Sequence, residues 1–446
     1  MLYSPISLPD IVSAKLEHWP DLQELKMENN FRIRKDFILR YRRRNYNYKD
    51  LAQGVSYWLN QINTIDDSRP IGISYATLSF SSIAFLLALY KSQRSFTHLG
   101  VVGKEVNDEL IRTQGLSAVF VVGDLFHSNV TLDIITNQIH HTDTWDHAYN
   151  CATWTGFEEL DIPFTDQQTI NAFTSGSTGK PSAVSMTAYT ESLSIQLAME
   201  IFFVEDDYCV FAHGMSHMGV HTTAILPGLF KAKVVSLADH TWDEEMIYAT
   251  HVQFFSTMSF LQLPKQLRVI TTGGNLLKST FLEHIHSQCS VENIYDIYGL
   301  TECLPPLAVR TVNSISDLNK PFTWINCAYQ VAIESDRIKI TRPDDVVFVT
   351  SDRGSLIDRQ LTFLGRALSL VRLNGNLVTV EQFKNEFETV TKILDYVIEY
   401  VNNEFVLHAL IHDVNAVTGF IQNTGANVFA KYHAALNTNG GIKNIS

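Results

Sequence analysis

Residues 173–182 of this chain read FTSGSTGKPS, the most informative stretch of the sequence. The seven residues from Thr174 to Lys180 are all hydroxyl residues, glycine or lysine, and an apolar, β-prone run precedes them. A loop of small residues that leaves a strand exposes backbone N–H groups, to which hydroxyls and a lysine add further donors for anionic oxygens. The stretch therefore predicts a site for nucleotide phosphates. The alternative is an ordinary Ser/Gly turn between two strands.

The loop differs from the phosphate-binding loop of the P-loop NTPases, G-x-x-x-x-G-K-[ST]. Thr174 stands where that loop has its first glycine, and Pro181 stands where it has the Ser or Thr that opens a helix. Pro181 also disfavours the helical conformation for Lys180. We therefore predict a glycine-rich flap that does not run directly into a helix.

Length and composition indicate an acidic globular protein. The 446 residues are 45% hydrophobic and 11% aromatic, which is enough for large buried cores in roughly two to four lobes. The net charge of −13 argues against binding nucleic acid along the whole chain, and the local basic cluster at residues 32–44 is expected to be a solvated face. The five cysteines form no C-x-x-C pair, which favours a reducing compartment and argues against structural zinc.

The sequence predicts neither a signal peptide nor a membrane span. Pro5, Pro9 and Asp10 interrupt the N-terminus, which is atypical of a signal peptide. The longest apolar run, near residues 83–90, is far shorter than the about 20 residues that cross a bilayer. We therefore expect a cytoplasmic protein.

Apolar periodicity predicts alternating helices and strands. Residues 48–62 and 81–91 have helical spacing, whereas residues 71–76 and 118–122 resemble buried strands. This alternation resumes over residues 169–307 and is typical of parallel α/β layers.

The C-terminal third has a different character. Residues 319–366 are β-rich, and a small unit with a helix at 381–391 and strands near 393–401 and 404–411 follows. The predicted fold class is α/β mixed with α+β. A large N-terminal domain of layered parallel sheets with helices and a β-rich lobe spans residues 1–366, and a small, mobile, abbreviated C-terminal α+β domain spans residues 367–446.

Two histidine-rich segments could imitate metal sites. The polar, irregular segment at residues 138–160 contains His140, His141, Asp143 and His147. No second cluster completes a coordination shell, so we expect a surface loop. The second segment places His213, His217 and His221 at positions i, i+4 and i+8, near one face if this stretch is helical; zinc binding is an open alternative there.

Further motifs follow the glycine-rich loop in a fixed order. They are TTGGN at 271–275, DIYGLTE at 296–302, TSDRG at 350–354, and Gly365-Arg366 with Gly375 at the boundary of the small unit. Taken singly, Thr301 could cap a helix and Asp352 could form a turn. The ordered set, from about Tyr48 to Lys443, resembles the adenylate-forming superfamily, which comprises acyl- and aryl-CoA synthetases, adenylation domains of peptide synthetases, and luciferases.

The resemblance implies an ATP site with assigned residues. The β- and γ-phosphates would be wrapped by Thr174, Ser175, Gly176, Ser177, Thr178, Gly179 and Lys180. The adenine would be bordered or stacked by Gly273, Gly274, Asn275 and Tyr298, with Asp296 and Gly299 nearby. The ribose diol would bind Asp352, a two-oxygen acceptor, and Arg366 would brace the same sugar.

The resemblance also implies four catalytic residues. Thr301 would donate its hydroxyl to the α-phosphate, and Glu302 would help to hold Mg²⁺. Lys443, in the segment NTNGGIK at 437–443, would bridge carboxylate and phosphate, unless it is a terminal lysine without function. His217, in SHMG at 216–219, would line the acid pocket. Two anions meet when a carboxylate attacks the α-phosphorus, so the site needs this positive charge.

Some positions depart from the family pattern. Ser182 replaces a second loop lysine, Leu368 replaces the hinge aspartate or lysine, and Arg372 replaces a lysine. The short length, the ending Gly-Gly-Ile-Lys, and Asp352-Arg353-Gly354 resemble o-succinylbenzoate–CoA ligases. The departures place the thioester step in more doubt than the adenylation step.

The predicted function is that of an AMP-forming acid–thiol ligase. A small aryl or acyl carboxylic acid and MgATP would give an acyl-adenylate and pyrophosphate, and CoA would then take the acyl group as a thioester. The absence of an aspartate near His217 argues against an α-amino acid. Loading of a carrier-protein thiol in trans and a catalytically impaired nucleotide-binding relative are the alternatives. The predicted partners are the acid and the thiol, without nucleic acid or a membrane span, and a homodimer is the oligomer considered.

Overall fold

The chain forms two compact units. A computed structural model describes residues 30–41, 44–65, 68–75, 79–99, 115–122, 139–141, 159–174, 182–211, 218–237, 248–253, 263–274, 277, 279–326, 328–366, 370–373, 376–391, 396–401, 404–410, 417–418, 421–422 and 428–433. The first unit consists of Met1–Tyr329 and Arg342–Asp344, and the second of Gln330–Thr341 and Asp345–Ser446. The predicted domain boundary between residues 366 and 367 stays a prediction.

The helices whose bounds the structure describes lie mostly in the first unit. They are α1 (Tyr48–Asn63), α2 (Phe80–Ser92), α3 (Ala188–Phe202), α4 (Met218–Val220), α5 (Leu226–Lys231), α6 (Ser279–Gln288) and α7 (Val380–Thr391). A π-helical turn, His221–Ile225, joins α4 to α5, and two short 3₁₀ turns cover Thr301–Cys303 and Ile315–Asn319.

The strands of the described chain are short. They are β1 (Asn30–Arg32), β2 (Ile38–Tyr41), β3 (Arg44–Asn47), β4 (Ile71–Tyr75), β5 (Phe96–His98), β6 (Ala118–Val122), β7 (Ile139–His141), β8 (Asp161–Pro163), β9 (Thr169–Thr174), β10 (Ser182–Thr187), β11 (Tyr208–Phe211), β12 (Val234–Leu237), β13 (His251–Gln253), β14 (Gln266–Gly273), β15 (Ser290–Tyr298), β16 (Ala308–Thr311), β17 (Phe322–Trp324), β18 (Gln330–Glu334), β19 (Arg337–Thr341), β20 (Val347–Ile357), β21 (Gln360–Arg366), β22 (Leu370–Leu373), β23 (Asn376–Thr379), β24 (Tyr396–Val401), β25 (Glu404–Leu410) and β26 (Val428–His433).

Helix α1 shows how local sequence fixes an element. The Asn47 side chain accepts from the Asp50 amide and the Asp50 side chain accepts from the Asn47 amide, which together form a capping box. Leu51, Val55 and Trp58 recur at helical spacing and are buried. This apolar stripe packs the helix into the core. Helix α2, by contrast, is buried along nearly its whole length.

Two sheets build most of the first unit. One has the strand order β10-β9-β5-β4-β6-β7, in which β4 pairs in parallel with β5 and β6. The other includes the consecutive strands β17-β16-β15-β14-β13-β11-β12-β2-β3. Strands β14, β13, β11, β12 and β2 run parallel, and β15 continues this set. The predicted α/β layering is therefore confirmed.

One sequence prediction in this region is wrong in part. Residues 139–141, expected within an irregular surface loop, form strand β7 in parallel pairing with β6. Backbone hydrogen bonds to β6 stabilise this strand. The polar side chains of the segment gave no indication of it. Asp143 and His147 lie outside the described residues.

The described part of the second unit contains antiparallel hairpins, helix α7 and one strand added in parallel. Strands β18, β19, β20 and β21 pair successively in antiparallel fashion, and β22 pairs with β23. Strands β24 and β25 are antiparallel, and β26 adds in parallel to β25. Phe383 and Phe387, one turn apart on α7, are buried with their rings 6.0 Å apart. The predicted β-rich segment and C-terminal helix are both present.

The described helices include none that is long and apolar enough to cross a bilayer.

Candidate functional site

Two motifs predicted to form the nucleotide site end neighbouring parallel strands. Strand β14 ends at Gly273 and β15 at Tyr298, with Thr272 opposite Asp296 and Gly273 opposite Ile297. The TTGG and YGLTE segments therefore leave the sheet side by side. In open α/β sheets, ligands bind outside the carboxyl ends of the strands. The structure thus places the two motifs where a ligand site is expected.

Two positions at this edge require glycine because neighbouring atoms lie too close to admit a Cβ atom. A Cβ atom on Gly273 would lie 2.8 Å from the carbonyl oxygen of Ile297. A Cβ atom on Gly299 would lie 2.2 Å from the Cβ atom of Pro305. Any larger residue at either position would displace its neighbour. Gly274, which follows, is exposed and has a φ of +82°.

Thr301 and Glu302 lie on the short 3₁₀ turn that follows β15. Both side chains are partly exposed, whereas Cys303 is fully buried. The Cys303 amide donates to the Leu300 carbonyl over 3.1 Å and closes the turn. No ion pair within the described part of the chain engages Glu302. A partly exposed, uncommitted carboxylate beside a hydroxyl is a donor set that fits Mg²⁺, which prefers oxygen ligands.

A buried ion pair supports the predicted adenine-binding residue Tyr298. Arg310 Nε donates to Asp296 Oδ2 over 2.9 Å, and Arg310 Nη2 lies 2.7 Å from the same oxygen in an ion pair. The Arg310 guanidinium lies 4.4 Å from the ring centroid of Phe322. The Phe322 and Tyr298 rings are 6.0 Å apart. Burial raises the pKa of Asp296 to about 6, and the Arg310 charge opposes this rise. Asp296 is therefore committed to Arg310, and its predicted place near the adenine stays a prediction.

The glycine-rich loop connects two antiparallel strands. Thr174 at the end of β9 pairs with Ser182 at the start of β10. Helix α3 begins six residues later, at Ala188, so the prediction that the loop does not run into a helix is confirmed. The phosphate-binding candidates between these strands lie outside the described residues: Ser175, Gly176, Ser177, Thr178, Gly179 and Lys180.

The two predicted ribose-binding residues are cross-strand neighbours in the second unit. Asp352 on β20 is directly opposite Arg366 on β21. The Asp352 side chain is buried, and its backbone amide donates to the Thr350 hydroxyl over 3.1 Å. The hairpin therefore brings an acid and a base, 14 residues apart in sequence, to one position of the sheet.

Several predicted residues lie outside the described part of the chain: Asn275, His213, His217, Leu368 and Lys443. Their roles stay predictions. His221 of the same histidine series is described, and it is buried in the π-helical turn with its ring centroid 4.7 Å from that of His98. Burial, together with His221, lowers the pKa of His98 well below its usual value.

A second polar cluster, which the sequence did not reveal, lies at the amino ends of the parallel strands. Asp207, Cys209 and His251 are buried with their ligand atoms within 4.8 Å of one another. Arg268 donates to both Asp207 oxygens, and Cys209 Sγ lies 3.9 Å from His251 Nδ1. Burial lowers the pKa of His251 to about 3 and raises that of Cys209 well above its usual value. The polar groups of this cluster therefore already have partners: Asp207 is paired with Arg268, and the neutral Cys209 and His251 contact each other.

Comparisons with known proteins concern the family and the fold. Residues 149–346 match the AMP-binding enzyme family model. The chain is similar to the o-succinylbenzoate–CoA synthetase MenE of Bacillus subtilis in complex with AMP, at 14% identity over 92% of this chain and 95% of that one, with a TM-score of 0.70. The same enzyme with ATP and a magnesium ion matches at 15% identity over 90% and 93%, with a TM-score of 0.69.

ATP-bound MatB from Rhodopseudomonas palustris is similar to the same extent, at 14% identity over 91% of this chain and 94% of that one, with a TM-score of 0.71. No curated protein matches the sequence. At these identities the structural matches show the fold, and the family model adds the AMP-binding enzyme segment. The predicted resemblance is therefore confirmed for residues 149–346 at the level of AMP-binding enzymes, and the fold is the one that the MenE and MatB structures share.

Proposed function

We propose that this protein is an AMP-forming ligase that activates a carboxylic acid with ATP and transfers the acyl group to a thiol. The carboxylate attacks the α-phosphorus of ATP, pyrophosphate leaves, and the resulting acyl-adenylate passes its acyl group to CoA as a thioester. The observation that carries this proposal is the pair of neighbouring strand ends at Gly273 and Tyr298. They bring a glycine edge, an aromatic ring, a hydroxyl and a carboxylate to one edge of the sheet.

Each of these groups has a defined task in the proposal. The backbone at Gly273 and Gly274 admits the flat edge of a base, and Tyr298 stacks on it. The Thr301 hydroxyl donates to the α-phosphate, where negative charge accumulates during attack. Glu302 holds Mg²⁺, which when bound neutralises phosphate charge. These side chains act by position and charge, without a covalent intermediate on the protein.

The remaining assignments extend the proposal beyond this edge. Residues 174–180 hold the β- and γ-phosphates, Asp352 and Arg366 hold the ribose, His217 lines the acid pocket, and Lys443 bridges carboxylate and phosphate. A small C-terminal domain, residues 367–446, carries Lys443. We further propose an aryl or acyl acid resembling o-succinylbenzoate, CoA as the thiol, and action in the cytoplasm.

Acid-dependent exchange of labelled pyrophosphate into ATP tests the adenylation step. The purified protein is assayed with a panel of aryl and acyl carboxylic acids, with and without CoA. We expect exchange with at least one acid and a thioester when CoA is added. Exchange without a thioester would indicate transfer to a carrier-protein thiol. ATP binding without exchange for any acid would indicate a non-catalytic nucleotide-binding relative.

Lys443→Ala tests the predicted catalytic lysine. Loss of this positive charge is expected to lower acid-dependent pyrophosphate exchange by about 100-fold or more. Lys431, on β26 of the same unit, provides a control in Lys431→Ala, which should retain exchange. Undiminished exchange in Lys443→Ala would remove the assignment.

A further inference from the structure

Three consecutive carbonyl groups follow the Thr301–Cys303 turn, and each accepts a hydrogen bond from a distant side chain. Ser194 Oγ donates to the Leu304 carbonyl over 2.7 Å, and Thr222 Oγ1 donates to the Pro305 carbonyl over 2.5 Å. Asn326 Nδ2 donates to the Pro306 carbonyl over 3.2 Å. We call Ser194, Thr222 and Asn326 the carbonyl clamp.

The clamp residues come from three separate elements of the first unit. Ser194 lies on α3, Thr222 lies in the π-helical turn, and Asn326 follows β17. The first two are 110 and 83 residues from their acceptors in sequence. All three side chains are buried, and a buried carbonyl without a partner is costly.

The clamp bonds are coupled to one another. Asn326 Nδ2 also lies 3.4 Å from Ser194 Oγ, so the hydroxyl that donates to Leu304 can accept from the amide that donates to Pro306. The Thr222 hydroxyl has two carbonyls of its own helical segment at 3.5 Å, but the shorter bond goes to Pro305. The clamp hydroxyls are therefore directed at the loop and away from their own helices.

The clamped backbone has a conformation that needs support. Leu304 has a φ of +46°, in the left-handed region that a leucine rarely adopts. Pro305 is packed against Gly299, and the Leu307 amide donates back to the Tyr298 carbonyl over 3.0 Å. The loop thus closes on its own start, with Thr301 and Glu302 between the two ends.

We propose that Ser194, Thr222 and Asn326 are positioning residues that fix the turn carrying Thr301 and Glu302 in the geometry that adenylate formation requires. This inference rests on the proposed function. The three residues do not touch the reacting groups; they act through the loop backbone. Displacement of a phosphate donor and a metal ligand by a fraction of an ångström lowers the rate of the chemical step more than it lowers ATP affinity.

Ser194→Ala and Thr222→Val test the clamp, because each removes one hydroxyl with little change in shape. We expect each to lower kcat of acid-dependent pyrophosphate exchange about tenfold, with KM for ATP changed by less than about twofold. The Mg²⁺ concentration at half-maximal rate should rise. Hydrogen–deuterium exchange of the segment at residues 299–307, which includes the bonded amides of Cys303 and Leu307, should speed up about tenfold.

Matched controls separate this role from general packing. Ser192, on the same helix and also buried, donates to the Tyr189 carbonyl of its own helix over 2.6 Å. Ser192→Ala should therefore change neither kcat of pyrophosphate exchange nor hydrogen–deuterium exchange at residues 299–307. Thr222→Ser keeps the hydroxyl, so it should restore most of the kcat that Thr222→Val loses.

Each outcome decides the clamp separately from the proposed function. Unchanged hydrogen–deuterium exchange in both Ser194→Ala and Thr222→Val would overturn the clamp. A loss of kcat in Ser192→Ala equal to that in Ser194→Ala would overturn it as well. Faster hydrogen–deuterium exchange with unchanged kcat would overturn its role in catalysis. If the wild-type protein exchanges pyrophosphate with no acid, the proposed function fails and the positioning role falls with it, while the deuterium measurement still decides whether the three residues hold the loop.

Discussion

Polar side chains at the two ends of the parallel strands β11, β13, β14 and β15 differ in whether they already have partners. At the amino ends, Asp207 and His251 are buried and Arg268 is partly buried, and all three are bonded to one another or to nearby groups. At the carboxyl edge, Thr301 and Glu302 remain partly exposed on the turn that follows β15, whose Ile297 pairs with Gly273. The amino-end groups already have their partners, whereas the carboxyl-edge groups have capacity left for a ligand.

This difference separates polar groups that stabilise the fold from polar groups that we propose to bind a ligand, within one sheet. A buried polar group that is fully paired contributes to a unique packing arrangement, and removing one partner leaves the other unpaired. A partly exposed carboxylate held on a closed turn contributes little to stability, yet it is positioned to bind a cation. Substitutions at the amino ends should therefore change stability, and substitutions at the carboxyl edge should change activity.

The largest expected effect is on stability, at the amino ends. Asp207→Ala removes a buried carboxylate and leaves the partly buried Arg268 guanidinium without its partner. It should lower the free energy of unfolding by about 3–5 kcal/mol. Urea unfolding of the first unit measures it. The exposed pair of Arg32 and Glu159, in the same unit, is the control, since Glu159→Ala should lower this free energy far less. Equal losses in both variants would remove the distinction between the two kinds of ion pair.

The next effect is on activity, at the carboxyl edge. Glu302→Gln removes the proposed metal ligand and should lower acid-dependent pyrophosphate exchange about 100-fold, with a higher Mg²⁺ requirement. The thermal midpoint should hold, because the side chain is partly exposed. Glu292, exposed near the amino end of the same strand β15, provides the control Glu292→Gln. An unchanged Mg²⁺ dependence in Glu302→Gln would contradict the metal role.

A pH-dependent effect concerns a buried acid that belongs to neither edge. Burial raises the pKa of Glu191 to about 8, although Tyr90 donates to its carboxylate over 2.5 Å. The unfolded chain ionises this group near its ordinary pKa of 4.5. The stability that neutral Glu191 provides is therefore complete below about pH 4.5 and is lost as the pH rises to about 8, at about 1.4 kcal/mol per pH unit.

Glu191→Gln tests this linkage, because glutamine keeps the acceptor and cannot ionise. The difference in unfolding free energy between variant and wild type should grow in favour of the variant from pH 5 to pH 8. Glu200, exposed on the same helix α3, serves as control in Glu200→Gln. A constant difference across this range would show that Glu191 does not titrate as described.

The smallest expected effect is that of metal removal at the amino ends. Asp207, Cys209 and His251 could imitate a metal site, but Arg268 occupies the carboxylate and Thr271 lies 3.0 Å from His251 Nε2. A chelator should therefore shift the unfolding free energy by less than about 0.5 kcal/mol. One equivalent of zinc in the purified protein, together with a lower midpoint in chelator, would overturn this reading.

Much of the fold could be predicted from the sequence because its elements are strongly periodic. The apolar spacing of residues 48–62 gave a helix that the structure has at Tyr48–Asn63, and the apolar run at residues 118–122 is strand β6. The order of TTGG and YGLTE in the sequence agrees with the structure, in which the two motifs end the neighbouring parallel strands β14 and β15. The prediction of a surface loop at Ile139–His141 was wrong, because pairing with strand β6 outweighed the polar character of the sequence.

The supporting residues could not be predicted, for a different reason. Ser194, Thr222 and Asn326 act through single hydrogen bonds to backbone carbonyls far away in sequence, and small polar residues inside helical segments carry no spacing signal. Arg310 likewise meets Asp296 through antiparallel strand pairing, which local sequence does not specify. Sequence motifs thus predicted the groups that we propose to face the ligand, and the groups behind them were found only through tertiary contacts.

The most direct test measures both properties on one variant from each end of the sheet. Glu302→Gln represents the carboxyl edge, and Thr250→Val represents the amino ends, because the Thr250 hydroxyl donates to Asp207 over 2.9 Å. Pyrophosphate exchange per folded molecule and the unfolding midpoint are determined for each. We predict that Glu302→Gln loses exchange and keeps its midpoint, whereas Thr250→Val lowers the midpoint and keeps exchange. A joint loss of both properties in each variant would contradict the account.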